Sequence, residues 1–134
     1  MPALAALLPD EELTSWARIA LEAIPDPAAD QSLRDALGKV TGRTLIGVIG
    51  SLGVRRDAQA VEALAKLLKD TDTGVASAAA FSLGQIGDER AIDPLLAIMD
   101  DAERKHSDVT RALATVALGQ IGDRRDLKQS MGNE

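Results

Sequence analysis

An aspartate returns at Asp26, Asp57, Asp88 and Asp123, at intervals of 31, 31 and 35 residues. Ahead of it stands an apolar stretch that closes on a small or helix-stopping residue, as in Leu83-Gly84-Gln85-Ile86-Gly87-Asp88 and Leu118-Gly119-Gln120-Ile121-Gly122-Asp123. Such a period marks a tandem array, because each unit is one small supersecondary element that buries its apolar face only against a neighbour. The recurrence therefore constrains the chain to a stack of like units, approximately 1–25, 26–56, 57–87 and 88–122, with a partial unit at 123–134.

Superposing the chain on itself at these intervals aligns Leu13, Thr44, Val75 and Thr110; Ala17, Val48, Ala79 and Ala114; Ala20, Ser51, Ser82 and Ala117; and Leu21, Leu52, Leu83 and Leu118. Within a copy these positions are i, i+4, i+7 and i+8, one stripe of a 3.6-residue helix. After each aspartate a second stripe runs through Leu33, Leu64 and Leu95, then Ala36, Leu67 and Ile98, then Leu37, Leu68 and Met99. The pattern predicts helices at 10–23, 29–38, 42–54, 58–69, 74–86, 90–101 and 107–121. With one Trp, one Phe and no Tyr, the interior falls to Ala, Leu, Ile and Val, of which Ala and Leu are strong helix formers. The chain reads as all-α, an α-α superhelix or α-solenoid of antiparallel helix pairs.

An aspartate just before a helix has a structural task, since the first N–H groups lack intrahelical partners and the carboxylate accepts from them. A ladder of such carboxylates binding cations is the alternative. Gly87 and Gly122 stand where the chain must stop and reverse, and Pro25 stops the first copy. The second copy has Arg55 and Arg56 in place of Ile86 and Gly87, which predicts a different corner with the arginines in solvent or paired to a carboxylate. The last copy carries four extra residues in the stretch that includes Glu103, Arg104, Lys105 and His106. These read as a solvated spacer or as part of a binding face. Residues 1–8 look like the tail of a helix, and 123–128 like the start of another that fades into a polar end.

A net charge of −6 argues against a phosphate-tracking surface, so nucleic acid is not an expected partner. Cysteine is absent, and His106 is the single histidine, which leaves almost no material for a thiolate or imidazole metal site or a Ser-His-Asp triad. The longest apolar run, 45–54, is about half of what a membrane span requires, so no membrane is expected. The first residues lack a basic n-region. A soluble, cytoplasmic protein is the expectation, or an extracytoplasmic one if a signal was removed. Gly47, Gly50 and Gly53 lack the spacing, lysine and preceding strand of a phosphate loop; glycines three apart share a helix face and point to close helix contact or a smooth patch. No catalytic residue and no cofactor is expected.

The motif Val75-Ala76-Ser77-Ala78-Ala79-Ala80-Phe81-Ser82-Leu83-Gly84-Gln85-Ile86-Gly87-Asp88, followed by Glu89-Arg90-Ala91-Ile92-Asp93-Pro94-Leu95-Leu96, closely resembles the bacterial HEAT-repeat family, including its phycobilisome-lyase-like branch. The resemblance is strongest from 57 to 123 and weakest before 26. It implies a right-handed superhelix whose concave side is lined by the second helix of each unit. Carried onto this chain, the concave positions are Arg43, Ile46, Gly47, Gly50, Ser77, Ala78, Phe81, Gln85, Ala112, Leu113, Val116 and Gln120. Those expected to meet a partner are Arg43, Ile46, Gly50, Ser77, Phe81, Gln85, Leu113, Val116 and Gln120.

Phe81 beside Ile46, Leu113 and Val116 forms an apolar groove edged by Gln85 and Gln120, a composition suited to the centre of an interface; or Phe81 packs between helices. Trp16 either shares that surface or covers the N-terminal helix. The same repeat serves in scaffolds, adaptors, bilin lyases and a few enzymes; the leading expectation is a non-catalytic scaffold that holds a protein or peptide partner, and an N-terminal end without a polar cap adds end-to-end self-association as a further reading. A bilin-lyase-like subunit assisting chromophore attachment and a spacer segment of a larger protein are the alternatives. Paired His-Glu motifs of the hydroxylase branch are missing, and one concave arginine does not make the basic groove of a HEAT-fold glycosylase.

Overall fold

The computed structural model describes residues 2–100 and 107–132, with side chains up to residue 122. Among these residues the chain forms eight α-helices and no strand: α1 (Pro2–Leu7), α2 (Thr14–Ala23), α3 (Pro27–Ala36), α4 (Gly42–Val54), α5 (Val61–Leu67), α6 (Thr73–Ile86), α7 (Ile92–Met99) and α8 (Asp108–Gly132). Single 3-10 turns at Ala58–Ala60 and Glu89–Ala91 lead into α5 and α7. The helices pair as hairpins, α1 with α2 through to α7 with α8. The hairpins stack so that α2, α4, α6 and α8 form one layer and the odd-numbered helices the other. The chain is thus an α-solenoid, and residues 101–106, which hold the charged insertion, lie outside the described part.

The recurring aspartates start helices. Asp26 accepts from the Ala28 N–H at 2.8 Å, Asp57 from Gln59 at 3.1 Å and Asp88 from Arg90 at 2.9 Å. Asp57 is also tied to Arg34 at 2.5 Å, and Asp88 to Arg90 at 2.9 Å. Arg90 in turn donates to the Ala58 carbonyl of the preceding unit at 2.8 Å. These carboxylates are engaged by backbone and guanidinium donors, and no group of three metal-ligating side chains occurs among the described residues.

Asp123 departs from the pattern. α8 runs unbroken through Gly122 and Asp123 to Gly132, where a stop and a new helix are predicted. Only Gly42 and Gly87 among the described glycines take a positive φ. A reversal is worthwhile only if the next helix buries an apolar stripe, and 123–132 supplies just Leu127 and Met131. Helix continuation then costs less than a turn.

The core follows the aligned stripes: Ala17, Val48, Ala79 and Ala114 are buried, as are Leu21, Leu52 and Leu83 in one layer and Leu33, Leu64 and Leu95 in the other. Leu13 leaves the stripe, because α2 starts only at Thr14 and not at the predicted residue 10, and Thr14 takes the buried place. Met99, expected in the core, is partly exposed at the end of α7, its sulfur accepting from the Thr115 hydroxyl at 3.0 Å.

Contacts in the even-numbered layer, α4 with α6 and α6 with α8, are the most extensive in the molecule. The odd-numbered layer is splayed instead, with a groove of about 780 Å³ between α5 and α7. We call the tightly packed layer of α2, α4, α6 and α8 the inner layer, and its open side the inner face.

Candidate functional site

Glycine sets how closely the inner helices meet. A Cβ on Gly53 would lie 2.7 Å from the Ser82 hydroxyl and would strike the Gln85 amide. One on Gly84 would lie 2.8 Å from the Ala117 Cα and would strike Gln120. Gln85 and Gln120 thus lie over the glycine of the preceding helix, as repeating elements of the stack. Ser77 is buried as well, its hydroxyl 2.9 Å from Thr110 Oγ1 on α8. Expected on the concave surface, it is instead committed to the α6–α8 contact, because its position faces the neighbouring helix.

The first inner junction is built differently. Arg18 of α2 lies over Gly47, donating to its carbonyl at 3.2 Å. Ser51 donates to Glu22 at 2.6 Å. Arg55 reaches back to the end of α2, donating to the Leu21 carbonyl at 2.8 Å and to that of Ile24, and grips Asp30 with Nε at 2.5 Å and Nη2 at 3.2 Å. The hydrogen bond to Asp30 raises the Arg55 pKa above its ordinary value, against a smaller opposing effect of burial. Of the two expectations for Arg55, pairing to a carboxylate is what the structure shows. Arg56 occupies the left-handed turn position with φ 52°, where Gly87 has φ 74° in the next unit.

What remains open on the inner face is apolar. Phe81 is 45% exposed and Val116 51% exposed. Ile46 and Leu113 are partly buried against the core, with Ala78 between their helices. Arg43 stands exposed at the start of α4, and Gly50 has nothing within 4 Å of a built Cβ. Trp16 is 73% exposed and does not cover α1. The register explains it, since Trp16 aligns with Gly47, Ala78 and Leu113 on the open side of the inner helices.

Ile19, 60% exposed, stands outside the positions singled out by the repeat motif. It aligns with Gly50, Phe81 and Val116 at the same offsets that define the repeat, which was signal enough to find it. Two parallel rows cross four helices: Ile19, Gly50, Phe81 and Val116 in one, and Trp16, Gly47, Ala78 and Leu113 in the other. Gly50, without a side chain and with open space over it, stands between Ile19 and Phe81 in the first row.

Stacked helical hairpins with an open apolar inner face define an α-solenoid of the repeat class. Residues 42–119 match the family model of HEAT repeats, and the chain belongs to that family. No curated protein matches the chain. HEAT repeats are commonly protein-interaction scaffolds. No described helix is long and apolar enough to cross a membrane.

Proposed function

We propose that the protein is a non-catalytic docking module that holds a partner protein or peptide on its inner face. One observation carries this reading: the row Ile19, Gly50, Phe81 and Val116 leaves three large apolar side chains exposed on one side of four adjacent helices, with a bare glycine between two of them. Helices meant only to stack have no use for large apolar groups there, and a contiguous exposed apolar patch marks an interaction surface. Desolvated aromatic and aliphatic anchors carry most of the energy of a typical interface. Arg43, Ile46, Leu113, Gln85 and Gln120 are taken as the borders of the row, while Ser77 holds α6 to α8 through Thr110.

The test is affinity capture on the wild-type chain beside Phe81→Ala and Gly50→Gln. Phe81→Ala is expected to weaken capture of a specific partner by about tenfold or more, with the thermal midpoint little changed. Gly50→Gln places a polar side chain in the middle of the row at a position with open space around it, and is expected to act the same way. A partner held equally by all three chains would exclude this face as its site. A large loss of midpoint in Phe81→Ala would reassign that side chain to the core.

A further inference from the structure

We infer that the two ends of the stack fit each other, so that a second copy of the chain seats its α1–α2 hairpin on α7 and α8 and extends the solenoid head to tail. The internal junctions show what covers such an end. Gly53 of α4 lies under Ser82 of α6, and Gly84 of α6 under Ala117 of α8. Gly119 holds the same register on α8, yet a Cβ built there meets nothing within 4 Å. Ser77 of α6 is buried against Thr110 of α8, whereas its counterpart Ala112 is exposed. In the other layer Leu68 is buried and its counterpart Met99 is 37% exposed; Leu96, in register with Ala65 of the α5–α7 groove, is 50% exposed. Because α8 runs straight on to Gly132, the chain up to that residue does not turn back to cover this side.

The opposite end supplies the matching half. In register with Thr110 and Ala117 stand Leu13, 42% exposed at the head of α2, and Ala20, half-buried within it. Set on α8 as α8 is set on α6, a second copy places Ala20 over Gly119, repeating Ala117 over Gly84. It places Leu13 over Ala112, an apolar pair where Ser77 and Thr110 make a polar one. Ala23, exposed, takes the place that Gln85 and Gln120 hold over their glycines. No residue of α1 is charged, and its Pro2, Ala3 and Ala6 are exposed. Both halves are therefore apolar, and removing them together from water favours the join. Contact between unlike ends is heterologous; a join that repeats the internal step continues the stack and stays open. It uses the ends of the array and so stands apart from the docking reading of the inner face.

Sedimentation velocity over a concentration series tests the join. The weight-average mass of the wild-type chain is expected to climb above the 14.1 kDa monomer without a plateau at the dimer. It should climb further at high salt, which screens repulsion between copies of net charge −6. Gly119→Arg puts a charge into the join from a position open in the single chain, and Ala23→Arg does so from the other end. Each is expected to weaken association about tenfold or more, with the thermal midpoint of the dilute chain unchanged. Ala112→Arg repeats the first test from a second exposed position on the same side. Mixed together, Gly119→Arg and Ala23→Arg chains each keep one intact end and are expected to form a one-to-one pair and nothing longer. Phe81→Ala is expected to associate as the wild type does. A wild-type chain that stays monomeric into the millimolar range overturns the join. A plateau at the dimer, or folded variants whose mixture does not pair, overturns the head-to-tail order. Association untouched by all three arginines, or lost in Phe81→Ala, moves the contact away from the ends and overturns the proposal.

Discussion

The first inner junction, α2 on α4, and the last, α6 on α8, meet the same geometric demand with opposite chemistry. Between α6 and α8 the helices close because side chains are missing: Gly84 lies under Ala117 and Gln120, and Ser77 meets Thr110. Between α2 and α4 they are held by long side chains, Arg18 over Gly47 and Arg55 around the end of α2. Contact is correspondingly less extensive at the first junction. Repeat arrays add stability by nearest-neighbour terms, so each junction can be weakened on its own.

The largest effect is expected from Arg55→Ala. It strips partners from Asp30 and from the carbonyls of Leu21, Glu22 and Ile24 at once, and groups left without charged donors in a partly buried place cost about 2–3 kcal/mol together. Urea unfolding checks the total, and hydrogen exchange checks the place. Protection should fall in α1 to α3 first, because only the first junction is cut. Uniform loss across all helices would mean that the two junctions are not separable.

Next in size is a pair of identical substitutions at aligned glycines. Gly84→Ala puts a Cβ 2.8 Å from the Ala117 Cα, a clash with backbone that repacking cannot relieve cheaply, and should destabilise by about 1–2 kcal/mol. Gly119→Ala meets nothing within 4 Å and should stabilise by up to about 1 kcal/mol through helix propensity. Opposite signs in thermal melts would show that glycine matters here for approach and not for chain flexibility.

These differences explain what could be read from the residues alone and what could not. Helix periods, capping aspartates and the Gly87 turn are local, so spacing and residue type suffice to read them. Gln85 and Gln120 look like surface amides in one dimension. Only the placement of Gly53 and Gly84 beneath them shows that they belong to the stack. Arg55 reads as an interruption of the pattern, because its partners lie some 25 to 34 residues earlier and nothing local announces them. Ile19 was within reach of the alignment, yet its copies, Gly50, Phe81 and Val116, share no residue type. Gly122 ends a motif identical to that of Gly87 yet lies inside α8, because the helix that would reward a turn is not encoded after it.

The corners sharpen the comparison further. Arg56 and Gly87 occupy equivalent turns, with Asp57 N–H donating to Leu52 at 3.2 Å behind the first and Gly87 N–H to Leu83 at 3.0 Å in the second. A left-handed backbone disfavours a side chain by about 1–2 kcal/mol, and glycine returns part of that in the unfolded chain. Arg56→Gly should therefore raise stability by about 0.5–1 kcal/mol, read as a higher urea midpoint at unchanged slope. No gain would mean that the arginine side chain contributes as much as its backbone loses.

The smallest effect separates the two corners by pH. The side-chain hydrogen bond from Arg90 holds the Asp88 carboxyl below its ordinary pKa, helped by the Arg90 backbone N–H and opposed by partial burial. A carboxyl whose folded pKa is depressed stabilises the fold fully above its unfolded pKa, about 4. The contribution is lost as pH falls from there through the folded value. Asp88→Asn should therefore melt slightly below the wild type at neutral pH, and the gap should close on acidification below about pH 4. Because Arg90 is more than half exposed, added salt should narrow the neutral-pH gap as well. A gap that persisted unchanged into acid would assign Asp88 a capping role that an amide cannot fill, independent of its charge.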